Sequence, residues 1–60
     1  MSGEFTIKNS RFGFKQRADK YLLFREINQN VWSEIYSEKA ENIDKNIEEW
    51  AREKAESEFI

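Results

Sequence analysis

At 60 residues, with no cysteine, no histidine and a net charge of −2, the chain is one domain at most and lacks both disulfide bonds and the usual zinc ligands. A domain of this size hides only about 60% of the surface its unfolded chain exposes, so packing alone must hold it. Five Phe, two Trp and two Tyr supply that packing and argue against intrinsic disorder.

The longest apolar run, Tyr21 to Phe24, is far short of the roughly 20 residues a spanning helix needs. The opening Met1-Ser2-Gly3-Glu4 has no basic-then-apolar pattern of a secretion signal. A soluble protein is expected, with the cytoplasm as the default location. Charge is divided between the halves. Residues 1–30 hold six cations against three acids, whereas residues 31–60 hold four against nine. Such asymmetry fits a nucleic-acid face, or two halves that attract each other.

In chain order, Phe5 and Ile7 alternate with Glu4, Thr6 and Lys8, a period of two that predicts a strand near 4–8. Asn9-Ser10 reads as a turn. Phe12 and Phe14 then alternate with Arg11, Gly13, Lys15 and Arg17, predicting a second strand over 11–17. Gly13 marks a bulge or a close approach within it. After a turn at Ala18-Asp19, the aromatic and β-branched runs 20–27 and 31–37 flank Asn28-Gln29-Asn30 and read as a hairpin. The competing reading is one long helix, since Phe24, Ile27, Val31 and Ile35 also sit at helical spacing. The stretch Val31–Tyr36 is poor in strong helix formers, which favours strands. From Glu38 to about 58 the composition turns to Glu, Lys, Ala and Arg, with Ala40, Ile43, Ile47, Trp50 and Ala51 as an apolar stripe. Glu41 with Lys45 and Glu48 with Arg52 are i,i+4 pairs, and Asn42 or Asp44 is a candidate cap.

Catalysis is not expected. General acid–base work needs a carboxylate in an apolar or crowded setting, and the acids here fall on polar helix faces. Glu41-Asn42-Ile43-Asp44 lacks the glycine-centred pattern of a calcium loop, and Gly3 and Gly13 do not make a phosphate loop. No metal, cofactor or small-molecule substrate is implied. Arg11, Lys15 and Arg17 share one strand face and could track phosphates, although the acidic total disfavours a polyanion. Phe59 and Ile60 are candidates for contact with a protein partner.

Tyr21-Leu22-Leu23, then Asn30-Val31-Trp32, then a helix carrying Ile47 and Trp50, resembles a chromodomain across residues 20–52. The resemblance implies a curved sheet closed by a C-terminal helix. It does not extend to the family's methyl-lysine cage, because Phe24-Arg25-Glu26-Ile27-Asn28 lacks the further aromatics that cage needs. The missing Cys, His and Pro, with the charge-paired text from Glu48 to Glu56, fit a designed sequence as well as an A/T-rich gene.

The expectation is therefore a single α+β mini-domain over 1–60. A small curled antiparallel sheet of three to four strands, within about 4–37, packs against one C-terminal helix near 38–58. Its expected role is non-enzymatic protein binding or scaffolding, as a designed module or inhibitor-type protein, with weak nucleic-acid binding as the alternative.

Overall fold

The computed structural model describes Ser2–Ile60. Strands β1 (Ser2–Ile7), β2 (Ser10–Arg17), β3 (Lys20–Asn28) and β4 (Val31–Lys39) form one antiparallel sheet in the order β1-β2-β3-β4, followed by helix α1 (Ile47–Glu58). This is the expected α+β architecture, with four strands. Residues 20–36 are a hairpin, so the long-helix alternative does not hold.

Every strand connection is a two-residue turn. The first turn is Lys8-Asn9 rather than Asn9-Ser10, with φ of 48° and 69° at its two residues. Two positive φ values in succession are the signature of a type I′ turn, whose twist matches that of the flanking strands. Asn30 adopts φ of 60° in the last turn, a conformation that Asn tolerates better than most residues. Gly13 makes no bulge, for the ladder runs unbroken through it on both sides. The irregularities lie between β3 and β4 instead. Tyr36 pairs with Leu23 and Glu34 with Phe24, so Ile35 is the extra residue. Ile35 and Tyr36 consequently both pack against the core.

The helix starts later than its composition suggests. Ser37, Glu38 and Lys39 stay extended because they pair with Leu22, Tyr21 and Lys20, and that ladder outweighs intrinsic propensity. Trp50 donates its indole N–H to the Glu38 carboxylate at 3.0 Å, which suits an extended residue at that position. A single 3₁₀ turn at Ala40–Asn42 leads into the connection. The cap is Asn46, not Asn42 or Asp44. Its side chain accepts from the Glu49 backbone N–H at 2.9 Å and donates to the Glu49 carboxylate at 2.6 Å. Ala40 and Ile43 thus lie outside the helix, although Ile43 still packs against the core. Lys45 pairs with Glu53 rather than Glu41, while the Glu48–Arg52 pair forms at 3.1 Å.

The core lies between α1 and one face of the sheet. Phe5, Phe12, Phe14 and Leu23 meet Ile47, Trp50, Ala51 and Ala55, with Phe12 and Leu23 wholly buried. The Phe5 and Phe12 rings stack 5.6 Å apart, and Tyr21 meets Trp50 edge-on at the same distance. Arg25 is a polar member of this side. It donates to Ser10 Oγ at 2.9 Å and to the Phe59 carbonyl at 3.3 Å, tying the end of α1 to the sheet.

The fold yields two stability predictions, both read from the midpoint of thermal unfolding. Asn46→Ala removes the cap and should cost about 1 kcal/mol, or roughly 4–8 °C in a domain of this size. The two glycines should respond in opposite ways. A Cβ on Gly3 would fall 2.6 Å from Phe14 Cζ, so Gly3→Ala must displace a buried ring, at about 1–3 kcal/mol. A Cβ on Gly13 meets nothing nearer than 3.5 Å, so Gly13→Ala should be neutral or stabilising.

Candidate functional site

One helix covers one face of the sheet and leaves the other open. The strand pleat divides the residues of β2, sending Phe12 and Phe14 toward α1 and Arg11, Gly13, Lys15 and Arg17 to the open side. Registration extends that open face across the sheet. Leu22 lies opposite Lys15, Phe24 opposite Gly13, and Lys20 opposite Arg17. On β4, Lys39 lies opposite Lys20, Glu34 opposite Phe24, and Trp32 opposite Glu26.

At one end of this face Arg11 is heavily engaged. Its guanidinium pairs with Glu4, pairs with Glu26 at 3.0 Å, and sits 5.3 Å from the centroid of the Trp32 ring. The hydrogen bond it donates to Glu4, then the charge of Glu26, holds its pKa above the ordinary arginine value. Trp32 in turn lies over Gly13, at a distance that would also accept a Cβ there, so this packing does not require the glycine. Beside it is an open cleft of about 300 Å³ whose lining includes Gly3, Glu4, Gly13, Lys15, Phe24 and Trp32. Leu22 is buried on this side although it is not part of the core beneath α1.

At the other end the face is basic. Lys15, Arg17, Lys20 and Lys39 are all exposed, and among the described residues none of the four is in an ion pair. Arg17, Lys20 and Lys39 stand in register on three adjacent strands. With neighbouring strands about 4.8 Å apart, the row is roughly 10 Å long. Like charges directly opposite one another destabilise a sheet, so the fold gains nothing from this row.

The acids of the second half are largely elsewhere. Glu48, Glu49, Glu53, Glu56 and Glu58 belong to α1, on the far side of the sheet. The charge asymmetry of the sequence therefore becomes a division between two layers. Lys54 belongs to the acidic layer, where a hydrogen bond to Glu58 holds its ammonium pKa above the usual lysine range.

Of the residues singled out in the sequence, Arg11, Lys15 and Arg17 do share a face, with Arg11 committed to its two carboxylates. Phe59 packs against the core, and Ile60 is 46% exposed. Sequence patterns missed Lys20, Lys39, Phe24 and Trp32 as members of the open face. Only the strand register brings them beside β2, and the extra residue in β4 shifts which of its side chains face outward. No protein-family model, curated protein or solved structure matches this chain.

The two tryptophans differ enough to report on this face. Trp50 is buried at 5% exposure, whereas Trp32 is only partly covered. Acrylamide should quench Trp32 and spare Trp50, giving a biphasic Stern–Volmer plot. Arg11→Ala should steepen the accessible phase by uncovering the Trp32 ring.

Proposed function

We propose that this chain is a non-enzymatic binding module whose working surface is the open face of its sheet and whose partner is an anionic macromolecule. The observation that carries the reading is the unpaired basic end formed by Lys15, Arg17, Lys20 and Lys39. A cation row that the fold does not need is best explained by a ligand that does need it. The layer separation supports the same reading, because the helix acids that would repel a polyanion sit behind the sheet. The chromodomain resemblance contributes only the sheet-plus-helix plan, and fold alone does not define function.

A protein partner is the second reading, favoured by a different feature. Ile27 and Val31 are 60% and 49% exposed at the β3–β4 turn, an apolar tip that suits docking to another protein.

Heparin affinity chromatography tests the first reading. Despite its net charge of −2, the chain should be retained at low salt. Lys15→Glu with Arg17→Glu should abolish retention. Lys45→Glu with Lys54→Glu, on the helix layer, should leave it largely intact. Equal loss in both variants, or no retention of the parent chain, would refute a basic working face.

A further inference from the structure

We propose that the open face binds single-stranded nucleic acid, with phosphates along the Arg17–Lys20–Lys39 row and Lys15, and bases in the adjoining Phe24–Trp32 cleft. This rests on the reading of the open face as an anion-binding surface and names the class of anion.

The juxtaposition carries the inference. Lys15 belongs both to the basic end and to the lining of the cleft, so a strand crossing the row would present its bases to Phe24 and Trp32. Strand-tracking proteins combine these two elements, a cationic track for the backbone and aromatic surfaces for the bases. An acidic peptide would use the cations but has no planar groups to offer the rings. A duplex keeps its bases stacked inside and would leave the cleft unused. Glu38, next to Lys39, turns to the helix side and accepts from Trp50, which leaves Asp19, in the β2–β3 turn, and Glu41, beyond β4, as the carboxylates nearest in sequence to the basic row. Neither pairs with a cation among the described residues. Glu4 and Glu34 lie in the cross-strand row of Gly13 and Phe24, at the cleft, and Glu26 lies opposite Trp32; Arg11 pairs with Glu4 and Glu26. A bound strand is therefore expected to run across the basic end and into the cleft, where Arg11 pairs with Glu4, the carboxylate of its lining.

Fluorescence anisotropy with a labelled oligothymidylate strand tests the proposal. Four phosphate contacts should make affinity fall about 50-fold between 50 and 200 mM salt. In ¹⁵N–¹H spectra the indole signal of Trp32, assigned with Trp32→Phe, should move on titration while that of Trp50 stays. The paired variant Lys20→Gln, Lys39→Gln should lose binding with its melting temperature unchanged or raised, because it removes like charges facing each other. That combination separates a binding role from a structural one. Poly-L-glutamate and a duplex of matching length are the comparison probes. If poly-glutamate binds as tightly as the strand, the nucleic-acid assignment fails while the anion-binding face stands. A duplex binding more tightly than the strand overturns the single-stranded assignment. No binding of any probe at 50 mM salt overturns both proposals.

Discussion

Burial of Phe12 and Leu23 between the sheet and α1 is the constraint that organises this molecule. The two residues lie diagonally across the central strands, and the aromatic and aliphatic groups around them complete the apolar core beneath the helix. Without cysteine or histidine, no covalent or zinc-based staple assists it. Each surrounding device serves to hold the helix over that pair. Asn46 starts α1 at the right place, Trp50 fastens to Glu38, and Arg25 ties down the far end through the Phe59 carbonyl. Arg52 and Lys54 extend over Phe5 and Tyr36, so the rims of the core are closed by cations on aromatic faces.

A single helix of 12 residues cannot cover both sides of a four-stranded sheet. The uncovered side is managed in two ways. Near Glu4 and Glu26 it is closed by a local network in which Arg11 lies over Trp32, satisfying charge while shielding the indole. Near the β2–β3 turn it is left open and positively charged. The contrast between a neutralised end and an unneutralised end of the same face gives the surface a direction. Solubility alone would be served as well by alternating signs, which would also stabilise the cross-strand pairs.

Much of the fold was legible in the sequence because its signals were local. The alternation of Phe5 with Ile7, and of Phe12 with Phe14, fixed the first hairpin and its buried face. The aromatic runs around Asn28–Asn30 fixed the second. The helix start is not legible because the helix-like composition begins at Glu38, yet Glu38 and Lys39 are held by pairing with β3. The cap at Asn46 is masked in the sequence because Ile43 continues the apolar stripe upstream of it. The site was only half legible for a related reason. Arg11, Lys15 and Arg17 alternate within one strand and can be read directly. Lys20 and Lys39 are 19 positions apart and meet only through registration. The engagement of Arg11 by Glu4 and Glu26 likewise depends on neighbours that strand alternation does not reveal.

The order in which the chain is laid down gives the meander a temporal consequence. Each strand pairs with the one just made, but α1, at the end, packs chiefly on β2 and also touches β1. Phe5, Phe12 and Phe14 are therefore synthesised before the helix that covers them. At about 5–20 residues per second, the roughly 40 residues between Phe14 and Ala55 take about 2–8 s to synthesise. During that interval the nascent chain displays a greasy, half-built ribbon, which makes its birth, rather than its mature state, the moment of greatest exposure to misassociation and to chaperone capture.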